Sequence, residues 1–135
     1  MAMTQADIQR IMDKHPELND FGIGVYDDKQ SPAERAETLA KEKSRLLESV
    51  DACNRVCEWL RGIERIKSIN WDQSSYGLKH LAERDSEYCT NGVFITAAIH
   101  SGFPYRIKSD SPNVWFGMSA KSINAIRDRQ NHVVR

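Results

Sequence analysis

The stretch SPAERAETLAKEKSRLLESVDACNRVCEWLRG, residues 31–62, decides how the rest of the chain is placed. Ser31, Pro32 and Glu34 stand where a helix begins. The serine hydroxyl and the glutamate carboxylate satisfy orphan amides, and proline has no N–H to leave unpaired. Leu39, Lys43, Leu46, Val50, Cys53, Cys57 and Leu60 then alternate by four and three, and Leu47, Val56 and Ile63 widen the stripe. No proline or glycine intervenes before Gly62, so the spacing predicts one helix over residues 32–64. At full length it would run roughly 45 Å, more than a small domain can cover. Either it breaks near Asp51 to Asn54, or its stripe meets a second copy, a homodimer through the long helix.

Upstream, Thr4 and Asp7 cap a short helix of residues 4–14 that ends at His15-Pro16, because a residue before proline is pushed out of the helical region. Phe21 to Tyr26, FGIGVY, fits a short strand or an extended loop. Its Gly22-x-Gly24 pair lacks the third glycine and the following helix of a phosphate loop. The N-terminal part is thus expected to be a long helical hairpin.

Downstream, Ile66 to Trp71 reads as a connector with buried anchors. Ser74 or Ser75 caps a helix through Leu78, Leu81 and Ala82 to about Arg84. Thr90 or Asn91 caps another, carrying Val93, Phe94, Ala97, Ala98 and Ile99, which Gly102-Phe103-Pro104 stops. Tyr105–Lys108 and Val114–Gly117 flank the turn-rich Ser109–Asn113, a β-hairpin, and Ser119 starts a last helix with Ile123 and Ile126 inward. Helix, turn, helix, hairpin, helix is the order of a winged helix-turn-helix. The expected fold is mainly α, one domain over residues 1–135. Residues 1–67 would be helical and acidic, and 68–135 winged-helix-like, basic and rich in aromatics.

The 135 residues hold 19 Lys/Arg and 19 Asp/Glu, a net charge of zero, which excludes a uniform polycation and an acidic mimic of DNA. The balance is uneven along the chain. Residues 1–60 hold 8 basic against 12 acidic side chains, and residues 61–135 hold 11 against 7. Nine of the eleven aromatics lie from Trp59 onward, on the basic side. No apolar run has signal-peptide or membrane-span length, so a cytoplasmic protein with no membrane partner is expected. Cys53, Cys57 and Cys89 should then be thiols.

A basic, aromatic-rich half points to nucleic acid. Lys79, Arg84, Arg106, Lys108, Lys121, Arg127 and Arg129 are the candidate phosphate contacts, and such contacts supply most of the affinity. On the winged-helix reading, residues 93–101 would enter a major groove, and that helix with its cap offers only Asn91, Thr96, His100 and Ser101. No Arg, Lys or Gln stands there to read a base edge, and Asp85–Cys89 is long for a tight turn. Backbone or shape binding of DNA or RNA is therefore expected over sequence readout. Tyr76, Tyr88, Tyr105, Trp115 and Phe116 could stack on bases. Trp115 and Phe116 are consecutive and should face opposite sides of a strand, leaving one less buried.

Other chemistry finds little support. Cys53, Cys57 and Cys89 with His80 or His100 could close a zinc site, but the cysteine pair lies in a leucine stripe, as core cysteines do. No Gly-x-Ser-x-Gly elbow, Walker A loop or dinucleotide fingerprint occurs. His80, Glu83 and His100 are the best scattered catalytic candidates. The expectation is a non-enzymatic protein with no metal and no cofactor.

SSYGLKHLAE (Ser74–Glu83), YCTNGVFITAAIHSGFPYR (Tyr88–Arg106) and PNVWFGMS (Pro112–Ser119) resemble small uncharacterised proteins of bacterial plasmids, phages and integrative elements. The resemblance covers roughly residues 74–119 and carries no known activity. It implies a mobile-element accessory protein, here one contacting nucleic acid through its basic half. The alternative is an anti-defence, anti-CRISPR-like inhibitor or adaptor that binds a host protein complex.

Overall fold

The stripe over residues 32–64 folds as two helices, not one. The computed structural model describes residues 2–27 and 29–133. In it α2 (Pro32–Leu47) ends at Glu48, and α3 (Val50–Leu60) starts after Ser49, whose φ of −95° and ψ of 36° leave the helical region. The cause is local. Ser49 Oγ donates to the Arg45 carbonyl at 2.8 Å, back-bonding of the kind that bends helices. The break lies just before the expected Asp51–Asn54. It gives each half of the stripe its own partner, so that α2 packs on α1 (Gln5–Lys14) and β1 (Leu18–Asn19), and α3 on α5 (Asn91–His100). Leu46, Cys53, Val56, Leu60 and Ile63 are buried within the monomer, so the stripe is not presented as one continuous helix face.

The starts of α1 and α2 follow their sequence signals. Thr4 with Asp7, and Ser31 with Glu34, form reciprocal capping boxes. Residues 18–23 make a minimal antiparallel pair, β1 with β2 (Gly22–Ile23).

The mainly α expectation is overturned. Among the described residues six helices make 55% and strands 17%, in two antiparallel sheets, a mixed α/β architecture and not a long helical hairpin with one small β-hairpin. The expected connector before Ser74 is β3 (Arg65–Ser74), an edge strand of a three-stranded sheet ordered β3-β5-β4, with β4 at Tyr105–Ile107 and β5 at Val114–Met118. Its register explains why alternation did not reveal it. Arg65 faces Met118, Asn70 faces Phe116 and Ser74 faces Trp115, with irregularities between successive pairs. Each irregularity shifts the inward positions, so Ile66 and Ile69 fall three apart instead of two.

The winged helix-turn-helix arrangement is overturned for a second reason. α5 is buried along Asn91–Ala98 and forms the centre of the molecule, packed by α1, α3, α4 (Ser75–Asp85) and β2. Phe94, fully buried, meets Trp59 and Phe116 edge-on, each at 6.2 Å between centroids. A helix apolar on every side belongs in a core. At its start Gly92 lets the β1–β2 turn approach: its amide donates to the Asp20 carbonyl at 3.1 Å, and a Cβ there would overlap the Asn19 carbonyl. α6 (Ala120–Val133) closes the fold, with Gln130 Nε2 donating to the Leu81 carbonyl at 2.9 Å. Among the described residues no helix is long and apolar enough to cross a membrane.

Candidate nucleic-acid interface

Along β5 the side chains alternate. Val114, Phe116 and Met118 are buried in the core, and Trp115 points to the other face, half-buried. Of the consecutive aromatic pair, Phe116 is thus the inward member. Arg106 on β4 lies directly opposite Trp115, so the two share the outer face. Lys108, two residues further, stands on that face as well. Its Nζ lies 4.7 Å from the Trp115 centroid and 4.9 Å from that of Trp71 on β3. Trp71 is 52% exposed, and its ring meets Trp115 at 5.9 Å with a 40° tilt.

Two tryptophans, a lysine and an arginine therefore form one open surface. Arg106 donates to the Tyr105 carbonyl at 2.9 Å, and among the described residues neither Arg106 nor Lys108 has a carboxylate within ion-pair distance. Both charges are available to a ligand. The lysine rests over the indoles by cation–π attraction, worth about 0.5–1 kcal/mol at an exposed site.

The structure thus brings together Arg106, Lys108 and Trp115 from the sequence candidates and scatters the others. Thr96 is fully buried and donates to the Gly92 carbonyl at 2.7 Å. Asn91, 7% exposed, braces the β1–β2 turn and the β4–β5 loop, donating to the carbonyls of Phe21 and Pro112 and to Asn113 Oδ1. Neither can enter a groove. His100 is exposed at the other end of α5, while Arg84 and Lys121 are exposed on α4 and α6. Lys79 is 5% exposed and ion-paired with Glu83 at 3.0 Å. Arg127 donates to Gln73 Oε1 at 2.7 Å. Arg129 grips both carboxylate oxygens of Asp85, at 3.0 and 2.7 Å. That guanidinium holds the Asp85 carboxyl down at about 2, helped by the Trp59 indole N–H. These cations fasten the fold.

Trp71 is the member that the sequence did not reveal. It closes the stretch read as a connector with buried anchors, and its ring is instead half in solvent. Tyr105, by contrast, is tied to His15 Nε2 through its hydroxyl at 2.6 Å.

The thiols and imidazoles do not converge. Among the described residues no group of three or more His, Cys, Asp or Glu side chains could hold a metal ion. Burial pushes the Cys53 thiol up to about 12 and Cys89 to about 11, so neither is a thiolate near neutrality. His80 is bound through Nδ1 to Glu83 at 3.0 Å. Burial works to raise the Glu83 carboxyl, but the Cys89 amide and the Lys79 ammonium outweigh it and hold it below the ordinary range. No family model, curated protein or solved structure matches this chain.

Proposed function

We propose that this protein is a non-enzymatic accessory protein that binds single-stranded nucleic acid on the outer face of its three-stranded sheet. The observation that carries the reading is the Trp71–Trp115 pair with Lys108 over both rings and Arg106 in register beside it. Exposed rings stack on unpaired bases whatever their identity, and flanking cations follow the phosphates. A duplex offers no free base face, and the helix that would have entered its groove is the core of the fold. Backbone-directed binding without sequence readout also suits the lack of base-reading side chains. The resemblance to mobile-element proteins is consistent with such a role.

Titration of a labelled single-stranded oligonucleotide tests this. Trp115→Ala should weaken binding about tenfold. Replacing Arg106 and Lys108 by glutamate should weaken it further and flatten the salt dependence, the log–log slope falling by about 0.7 for each phosphate no longer neutralised. Binding that ignores both salt and Trp115 would refute the reading.

A second reading, adaptor to a host protein, is favoured by Tyr26 and Ile107, 49% and 36% exposed on a cleft that also holds Glu17 and Lys14. Retention of a stoichiometric bacterial protein after nuclease treatment, with no oligonucleotide bound, would support it.

A further inference from the structure

We propose that the cleft between the β1–β2 turn and α4 holds one unpaired nucleobase, next to those stacked on Trp71 and Trp115. The proposal rests on the single-strand reading of the sheet face. The cleft measures about 670 Å³, within the range of small-ligand sites. Three exposed rings stand around it, Tyr88 at 71%, Phe21 at 63% and Tyr76 at 54%. Lys79 braces two of them, its Nζ 5.3 Å from the Tyr76 centroid and 5.0 Å from that of Tyr88. Rings held in place but left open to solvent are preorganised stacking faces.

The charges select the ligand. Lys79 and His80 are each 3.0 Å from Glu83, and Arg45 is 3.1 Å from Glu42. With its cations already paired, the cleft suits an uncharged planar ring and not a phosphate. Asn91, which lines it, has both amide hydrogens engaged, and its buried Oδ1 has no donor.

Position ties the cleft to the tryptophan platform. Ser74 lies opposite Trp115, and the Val114 amide donates to Ser75 Oγ at 3.0 Å. Tyr76 follows two residues after Ser74, in the first turn of α4, and Asn113 stands two residues before Trp115, just ahead of β5. Two residues span at most about 7 Å of backbone. We place the base that follows those over Trp115 at Tyr76 and Tyr88.

Tryptophan fluorescence and oligonucleotide affinity, measured on the wild-type chain and on Tyr76→Ala and Tyr88→Ala, test the proposal. Trp59 lies against Phe94 with its N–H on Asp85, so quenching reports on Trp71 and Trp115. The expected result is quenching retained in both variants with affinity reduced about tenfold. Quenching retained with wild-type affinity in both variants overturns the cleft and leaves the platform standing. If the wild-type chain neither quenches nor binds, the platform reading fails, and adenosine alone decides the cleft. Amide shifts at Tyr88, Asn91 and Asn113 that vanish in Tyr88→Ala would assign it to a free nucleoside. The absence of such shifts at millimolar adenosine would overturn it.

Discussion

Helix α5 and the β4–β5 pair follow each other in the chain, and both were candidates for touching nucleic acid. The helix is apolar on every side and buried along Asn91–Ala98, whereas β5 alternates and keeps one face in solvent. The two differ in how many faces carry apolar side chains. An element that must bury its whole circumference has nothing left to present, and one that buries alternate residues presents the remainder. The element left with a face to present is therefore the sheet, not the helix between its strands.

Truncation should break this contrast if it is wrong. Phe94→Ala empties a fully buried site between Trp59 and Phe116 and should cost about 3–5 kcal/mol in urea unfolding. Trp115→Ala should cost about 1 kcal/mol or less on the same scale, because its ring is half in solvent and its removal leaves no sealed cavity. Comparable losses at both positions would mean that Trp115 is a core residue and that the platform does not exist.

Glycines sharpen the same point at smaller amplitude. Gly92→Ala drives a methyl into the Asn19 carbonyl, which is backbone and cannot swing aside, and should destabilise by about 1–3 kcal/mol. Gly77 on α4 meets only Gln73 Oε1, at 3.7 Å, so Gly77→Ala should stabilise by up to about 1 kcal/mol through helix propensity. Two identical substitutions with opposite signs would show that α5 is tightly packed at its start while α4 is not. Chemical denaturation of both variants measures it.

The legible parts of this fold are those whose signal is local. Ser31-Pro32-Ala33-Glu34 announces a helix start because its capping bonds close within four residues, and α2 begins there. Gly102, with φ of 88°, takes the left-handed conformation expected after the helix that it stops. The helix break at Ser49 was less visible, since a serine hydroxyl turned back to Arg45 leaves no mark in hydrophobic spacing. β3 was hidden because its irregular pairing destroys period-two alternation. The site followed the same rule. Arg106, Lys108 and Trp115 lie on one predicted hairpin and came together, whereas Trp71 joins them only through the pairing of β3 with β5. Composition identified the basic half correctly, but it could not say which cations face outward.

Arg106 and Arg129 make that last distinction testable. Both are exposed arginines of the basic half, yet one has no carboxylate partner among the described residues and the other clamps Asp85. Arg106→Gln should reduce oligonucleotide affinity severalfold and leave stability unchanged. Arg129→Gln should do the reverse, costing about 1 kcal/mol at neutral pH, since a surface pair is screened. Acid titration separates the two further. The Asp85 carboxyl is held at about 2 in the folded chain against an ordinary 3.8. Because the folded value is the lower one, the stabilisation is complete above about pH 4 and is lost as pH falls towards 2. The gap in urea midpoint between wild type and Arg129→Gln should thus be full at pH 6 and close near pH 2, while Arg106→Gln tracks the wild type throughout. A gap that stays constant with pH would place the Arg129 guanidinium off Asp85 and return it to the set of charges free to meet phosphate.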